Sequence, residues 1–204
     1  MRNEVGRDSV FYIHVTLLPY ISATGELKTK PTQHSVRELR GIGIQPDAIV
    51  CRSEHPVVDD IREKISVHCD VPRSGVVALP TASTVYEVPI ILEEEGLGDL
   101  MVDRIAISGS DRDLEAWSRM VDMIKEPKEA LPIAVVGKYV DLHDSYISVK
   151  EALDHAGLVH KRKIDVRWVP AEDIEASGPD EFLGSVSGIV VPGGFGPRGV
   201  EGMV

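Results

Sequence analysis

The chain alternates short apolar segments with helical segments, and this alternation constrains its fold more than any other feature. Apolar segments at residues 10–18, 46–52 and 75–79 are each followed by a stretch with helical spacing of apolar residues. Strands that alternate with helices are typical of a doubly wound, mainly parallel α/β sheet. The first segment is almost continuously apolar, so we expect a strand that is buried on both faces.

The same alternation starts again after residues 126–132, a segment with the proline and charge content of a linker. New strands are predicted at residues 133–137, 164–169 and 188–192. We therefore expect an α/β fold of two partial doubly wound, mainly parallel α/β domains joined by a linker.

The predicted domain boundaries follow from this change of pattern. We assign residues 1–103 to the first domain, 104–131 to a linker with a helix, and 132–204 to the second domain. Within the linker, residues 107–113 are expected to form a loop that caps a helix at residues 114–124.

A polar loop with two lysines precedes the first predicted helix, at residues 35–40. The loop contains Lys28, Thr29, Lys30, Pro31, Thr32 and Gln33. Ammonium groups, hydroxyls and backbone N–H groups near a helix N-terminus favour an anion, so we interpret the loop as a site for a phosphate chain. The alternative is a solvated connection between a strand and a helix, because short motifs also occur by chance.

A second helix is predicted at residues 57–67, with Val58, Ile61 and Ile65 as its apolar stripe. Lys64 lies on this helix, and its spacing alone favours a solvated position on the charged face.

In the second domain, a longer helix is expected to run through residue 156. Asp144 or Ser145 is predicted to cap its start, and Gly157 to follow its C-terminus.

A glycine-rich loop at residues 193–199 follows the last predicted strand. Ligands in open α/β sheets bind beyond the carboxyl ends of strands, and glycines let backbone N–H groups approach them closely. Adjacent free N–H groups can hold a carboxylate or a developing oxyanion. The alternative is a tight glycine turn that holds no ligand.

The charge of the chain argues against nucleic acid as a partner. Its formal net charge is −11, whereas non-specific nucleic-acid binding needs a basic face. No apolar run approaches the length of a membrane helix and the first residues do not resemble a signal peptide, so we expect a cytoplasmic protein without a membrane partner. Cys51 and Cys69 lack metal-ligand spacing and are expected to be core or strand-end residues.

Four motifs in the chain are specific enough, taken together, to indicate a family. They are GELKTKPTQHSV at residues 25–36, GIQPD at 43–47, AVVGKYV at 134–140 and VPGGFGPRGVEG at 191–202. The motifs resemble the CTP synthase family over essentially the whole chain. The resemblance implies an amidoligase domain joined by a linker to a class I glutamine amidotransferase domain. Such enzymes use ATP and Mg²⁺ to phosphorylate UTP, hydrolyse glutamine, and transfer the ammonia internally to form CTP.

The resemblance assigns nucleotide-binding roles by position. Residues 28–33 and Lys64 would bind UTP, and CTP as an inhibitor, which reverses the interpretation of Lys64 from its spacing. Pro80, Thr81 and Ala82 would line the base of ATP. This sequence departs from the family pattern there, so the resemblance implies contacts through the backbone.

In the second domain, Gly193 and Gly194 match the loop that binds glutamine and stabilises the oxyanion, and Gly194 is expected to contact glutamine. The phosphate loop and the Mg²⁺ carboxylates of the family are expected before Met1. The cysteine nucleophile and its His–Glu pair are expected after Val204.

We therefore expect a central fragment that holds no catalytic or metal-binding residue and does not turn over by itself. The full-length parent enzyme is expected to be a homotetramer. The alternatives are a non-catalytic module that binds UTP or CTP, and a remnant with a role in assembly.

Overall fold

The computed structural model describes residues 2–105 and 112–204. The chain divides into two compact units, which we call unit 1 (residues 1–122) and unit 2 (residues 123–204). Each unit contains an open parallel sheet with helices. The predicted α/β fold class is confirmed.

The two units have the following strands and helices. The strands of unit 1 are β1 (Ile13–Leu17), β2 (Tyr20–Ile21), β3 (Glu26–Leu27), β4 (Ala48–Ser53) and β5 (Val76–Pro80). Its helices are α1 (Arg2–Val5), α2 (Lys30–Gly41), α3 (Asp59–Cys69), α4 (Val88–Glu94), α5 (Leu97–Ile105) and α6 (Glu115–Lys125), which ends beyond its boundary. Unit 2 contains β6 (Glu129–Gly137), α7 (Ile147–Val159), β7 (Arg162–Pro170), α8 (Ala171–Ser177), α9 (Asp180–Leu183) and β8 (Gly188–Val190).

The main sheet of unit 1 has the strand order β1-β4-β5, and its strand pairs are parallel. Ile49 and Cys51 of the central strand β4 pack into a core with residues of α2 and α3. Ala48 and Val50 of the same strand face a second core that includes Leu97 of α5. The central strand is therefore covered by helices on both faces, which is the doubly wound arrangement.

The strand β1 differs from its prediction because it lies at an edge of this sheet. Ile13 is 42% exposed, and Val15 and Leu17 are each 59% exposed. On the opposite face, His14 Nε2 lies 2.5 Å from Ser35 Oγ of α2. The prediction that this strand is buried on both faces is wrong, because a continuous apolar run does not distinguish an edge strand from a central one.

The helix α2 begins at Lys30, five residues before the predicted start. Pro31 occupies its first turn, where the missing N–H removes no helical hydrogen bond. Thr32 Oγ1 lies 3.0 Å from Thr16 Oγ1 and ties this turn to β1. Much of the segment predicted as a loop is therefore the N-terminal turn of a helix.

The helix α3 also begins later than predicted, at Asp59. Val58 precedes the helix and is 59% exposed, so its assignment to the apolar stripe is wrong. Ile65 is fully buried and Ile61 packs against the same core, as the spacing predicted.

The sheet of unit 2 has the strand order β7-β6-β8, and its pairs are parallel. Ala134 and Val136 of β6 pack with Ala171 of α8 in the core of this unit. Ile174 and Phe182 from α8 and α9 cover that core. The strands predicted at residues 133–137, 164–169 and 188–192 correspond to β6, β7 and β8 and follow one another along the chain as expected.

The helix α7 differs from its prediction at both ends. Neither Asp144 nor Ser145 caps it, because Tyr146 is the N-cap residue and makes no side-chain capping bond. Gly157 is buried inside the helix rather than after it. A Cβ atom at Gly157 would lie 2.8 Å from the carbonyl oxygen of Arg162, so this glycine permits the helix to pack closely on β7.

The helix α6 lies within one residue of its predicted range. Asp113 Oδ1 accepts a hydrogen bond of 2.9 Å from the N–H of Glu115 and caps the first turn. Most of the predicted capping loop, residues 107–113, lies outside the described residues.

The strand β6 begins at Glu129, inside the range assigned to the linker from composition.

Candidate functional site

The carboxyl ends of β1, β4 and β5 meet at one edge of the sheet of unit 1, because these strands are parallel. Residues 28–33, which we call the lysine segment, reach this edge through the ribbon of β2 and β3 that follows β1. Residues 80–82 reach it at the end of β5. The structure therefore brings both segments predicted to bind nucleotides to the edge at which open α/β sheets bind ligands.

Within the lysine segment, the threonines are buried and the lysines are more exposed. Thr32 is fully buried and Thr29 is 8% exposed. Gln33 Nε2 donates a hydrogen bond of 3.0 Å to Thr29 Oγ1. Lys28 is half-buried and Lys30, like the adjacent proline, is exposed. The threonines hold the turn in place while two cations and the N-terminus of α2 face solvent, and this arrangement suits a polyanion.

An exposed carboxylate links the lysine segment to Lys64. Lys28 Nζ lies 2.5 Å from Glu26 Oε2. The hydrogen bond and charge of Lys28 lower the pKa of Glu26, and the charge of Lys64 on α3 lowers it further. The direct contact of this carboxylate is with Lys28, and Lys64 acts on it only through its charge. The charge of Lys64 is therefore felt beside Lys28, and the role of Lys64 in binding stays a prediction.

The segment after β5 is held by its backbone. The N–H of Thr81 donates a hydrogen bond of 2.9 Å to the carbonyl oxygen of Ser53, and Thr81 Oγ1 lies 3.4 Å from the same oxygen. The hydroxyl of Thr81 is therefore turned towards β4. Pro80 is exposed and Ala82 is half-buried. Pro80 and Ala82 have no polar side-chain atoms, and the hydroxyl of Thr81 faces β4. The polar groups that this segment offers to a base are therefore those of the main chain.

Two aromatic residues at the same edge were not identified from the sequence. Tyr20 of β2 packs against His55, with ring centroids 3.8 Å apart and ring planes tilted by 32°. Ser53 Oγ donates a hydrogen bond of 2.6 Å to the carbonyl oxygen of His55 and fixes the turn after β4. The pair offers an aromatic surface beside the lysine segment. Neither residue belongs to a recognisable motif, and the two are distant in sequence, so the sequence does not predict their contact.

In unit 2, residues 193–199, which we call the glycine loop, follow the carboxyl end of β8. Gly193 and Gly194 are exposed. Gly196 has a φ of +81°, in the left-handed region that favours glycine. Since β6 and β8 are parallel, Lys138 at the end of β6 lies at the same edge as the glycine loop.

Lys138 makes direct contact with the glycine loop. Its side chain is 6% exposed. Lys138 Nζ donates a hydrogen bond of 2.5 Å to the carbonyl oxygen of Gly196 and lies 3.4 Å from that of Phe195. Arg198 Nη2 donates a hydrogen bond of 2.8 Å to the carbonyl oxygen of Lys138. In the sequence, Lys138 appears only as part of the motif at residues 134–140. Its contacts with residues almost sixty positions away leave no local sequence pattern.

The cysteines are placed in the core, as the sequence predicted. Cys51 and Cys69 are fully buried. Burial raises the pKa of Cys51 to about 12 and also raises the pKa of Cys69. Thiols of this kind are protonated at neutral pH and poor nucleophiles.

The metal that the resemblance implies finds no ligand set in the described part of the chain. Across residues 2–105 and 112–204, no group of three or more His, Cys, Asp or Glu side chains is arranged to hold a metal ion, so these residues do not fit Mg²⁺. Among the same residues, no helix is both long and apolar enough to cross a membrane.

Comparison with known proteins identifies the family. Residues 1–107 match the family described as the CTP synthase N-terminus, which is more than half of the chain. The chain belongs to the CTP synthase family. CTP synthases from Dehalococcoides mccartyi, Roseiflexus sp. and Herpetosiphon aurantiacus are 59%, 57% and 54% identical to it over all 204 residues. The chain spans 38%, 37% and 38% of the lengths of these relatives.

The match to the CTP synthase N-terminus includes the lysine segment, Lys64 and residues 80–82. The glycine loop lies outside residues 1–107, although the identity with the named CTP synthases extends over it. The candidate nucleotide site is therefore in the part of the chain that matches the family model.

Proposed function

We propose that unit 1 binds UTP and CTP at the lysine segment, as part of an enzyme that aminates UTP to CTP. The observation that carries this proposal is the geometry of that segment. Two lysines stand at the N-terminus of α2, at the carboxyl edge of a parallel sheet. The charge of Lys64 lowers the pKa of Glu26, the carboxylate that contacts Lys28. Helix N-termini and ammonium groups both favour phosphates. Membership in the CTP synthase family supplies the identity of the nucleotide.

The remaining assignments extend this proposal to the parent enzyme. ATP would drive the reaction with Mg²⁺, and its base would contact the backbone of residues 80–82. Glutamine would supply the ammonia, and the glycine loop would contact glutamine and the oxyanion through Gly193 and Gly194. We expect the parent enzyme to be a cytoplasmic homotetramer with no nucleic-acid or membrane partner.

The domain arrangement is part of the same proposal. Residues 1–103 would be the C-terminal part of the amidoligase domain, and residues 132–204 the N-terminal part of a class I glutamine amidotransferase domain. Residues 104–131 would connect them. The continuous identity with CTP synthases over all 204 residues supports an assignment that includes both parts.

Equilibrium binding tests the proposed nucleotide site. Calorimetric titration of the purified chain with UTP or CTP is expected to show binding, and Lys30→Ala is expected to weaken it roughly tenfold, the value of one hydrogen bond to a charged group. Lys163→Ala is the matched control, because Lys163 is an exposed lysine of β7 in unit 2. Absence of binding at millimolar nucleotide, or equal loss in the control, would contradict the proposal.

The isolated chain is expected not to complete the reaction. It spans 38% of the length of the Dehalococcoides mccartyi CTP synthase, so much of that protein has no counterpart here. Incubation of the purified chain with UTP, ATP, Mg²⁺ and ammonia should yield no CTP above a protein-free control. Formation of CTP that scales with protein concentration would sink this part of the proposal.

A further inference from the structure

We propose that Lys138 is a positioning residue that fixes the conformation of the glycine loop. The inference rests on the proposed function, in which this loop contacts glutamine and the oxyanion. It goes further by assigning the orientation of the loop to a side chain that directly follows β6 and belongs to no predicted site.

The first observation is a buried cation whose acceptors come from the loop itself. Lys138 is 6% exposed, and its ammonium group contacts the carbonyl oxygens of Gly196 and Phe195. No carboxylate pairs with it anywhere in the described ranges. A buried ammonium group is costly unless it is hydrogen-bonded. The two loop carbonyls are therefore what stabilises Lys138 in its position, and Lys138 in turn holds them inwards.

The second observation is a reciprocal contact from the loop back to the strand. Arg198 Nη2 donates to the carbonyl oxygen of Lys138 at 2.8 Å. Its Nη1 lies 2.9 Å from Glu172 Oε1 of α8, and its guanidinium carbon lies 5.6 Å from the ring centroid of Tyr139. The loop is thus attached to the end of β6 by charge-assisted hydrogen bonds that run in both directions.

The orientation of one loop N–H group, that of Gly196, follows from these contacts. In a trans peptide the carbonyl oxygen and the following N–H point in opposite directions. Because the carbonyl of Phe195 faces Lys138, the N–H of Gly196 faces away from it. The N–H groups of Gly194, Phe195 and Gly196 find no acceptor within the described part of the chain. Lys138 therefore directs the N–H of Gly196 away from itself, and the three N–H groups are available to an anionic atom of a ligand.

The close packing of Gly194 against the same side chain supports this role. A Cβ atom at Gly194 would lie 3.3 Å from Lys138 Cδ and 3.4 Å from Cε. The lysine stem and the glycine backbone thus lie against one another, and a larger residue at position 194 would displace the stem. Lys138 contacts the loop along its stem as well as at its ammonium group.

Nuclear magnetic resonance relaxation of the ¹⁵N-labelled chain, without ligand, tests the proposal. Backbone order parameters of Gly194, Phe195 and Gly196 are expected near about 0.85 in the wild type and below about 0.6 in Lys138→Met, which keeps the stem and removes the charge. The order parameters of β6 and β7 and the melting temperature are expected to stay within error. Lys150→Met, which removes an exposed lysine of α7, is the control and should leave the loop unchanged.

Arg198→Gln provides a second variant, which is expected to lower the order parameters of the same three residues. It replaces Lys138→Met in the test if that variant does not fold. Unchanged loop order parameters in the folded variants would overturn the proposal. A uniform loss of order across unit 2 would also overturn it, because that result indicates a role in overall stability. The measurement uses no nucleotide or glutamine, so its failure is distinguishable from failure of the proposed function.

Discussion

Gly157 lies inside α7, where most glycines would weaken a helix. Replacing an exposed helical glycine with alanine stabilises a protein by up to about 1 kcal/mol. At Gly157 the added Cβ would lie 2.8 Å from both the carbonyl oxygen of Arg162 and Ile164 Cγ1. Overpacking of this kind typically costs about 1–3 kcal/mol. The steric term therefore exceeds the propensity term, and close packing explains a glycine that the sequence suggested was a helix end.

We expect Gly157→Ala to lower the free energy of unfolding by about 1–2 kcal/mol for this reason. Gly41→Ala is the matched control, because Gly41 ends α2 and its added Cβ would meet nothing within 4 Å. That control should be neutral or slightly stabilising. Urea denaturation monitored by circular dichroism measures both variants. Equal effects of the two substitutions would show that helix propensity, and not packing against β7, decides the outcome.

At the residue scale, the sequence predicted positions that carry a local pattern. The lysine segment could be identified because its polar residues are consecutive, and Cys51 and Cys69 could be assigned to the core or to strand ends because they lack metal-ligand spacing. Lys138 and the pair of Tyr20 and His55 could not be identified from a local pattern. Their contacts depend on which strand ends meet at the edge of a sheet, and sequence spacing does not contain that information.

At the element scale, an ion pair ties α3 to the end of α4 and to β5. Arg62 donates hydrogen bonds to Glu95 from Nη1 and Nη2, at 2.5 Å and 2.9 Å. Glu95 Oε2 also accepts a hydrogen bond of 2.9 Å from the N–H of Ala78. Both side chains are less than a quarter exposed. Arg62 lowers the pKa of Glu95, chiefly through this hydrogen bond, so the pair stabilises the folded state when Glu95 is ionised.

We expect Glu95→Gln to lower the free energy of unfolding by about 2 kcal/mol at pH 7, because Arg62 is left partly buried without a carboxylate. The folded-state pKa lies below the ordinary value of 4.5, so the stabilisation is present above that value and is lost as the pH falls through the folded-state pKa. The difference between wild type and variant should therefore shrink as the pH falls below 4.5.

Glu94→Gln serves as the control, since it removes an exposed carboxylate from the neighbouring position. Denaturant titrations at pH 7, 5 and 3.5 distinguish the cases. A difference that does not depend on pH, or an equal effect of the control, would contradict the role assigned to the ion pair.

The elements that the sequence predicted poorly are those whose ends depend on tertiary contacts. The start of α2 was placed too late because a proline was interpreted as a loop residue, whereas Thr32 anchors that turn to β1. The edge position of β1 was missed because an apolar run does not report how many strands pair with it. The helix α8 was not predicted, since it is short and its apolar residues follow a proline.

For the whole molecule, the alternation of strands and helices was sufficient to predict two α/β parts. Parallel sheets of three strands in the orders β1-β4-β5 and β7-β6-β8 agree with that prediction. The strand order itself could not be read from the sequence, because it depends on which crossovers pack. The candidate sites followed from family motifs, and the structure then placed them at the carboxyl edges of the two sheets.

The central claim, that the lysine segment and Lys64 form one nucleotide site, is tested most directly by mapping bound CTP. Titration of CTP into the ¹⁵N-labelled chain should shift the backbone signals of the non-proline residues in the lysine segment and of Lys64, and leave those of the glycine loop in place. Lys30→Ala should reduce these shifts at a given CTP concentration. Shifts confined to other residues, or none at millimolar CTP, would contradict the claim.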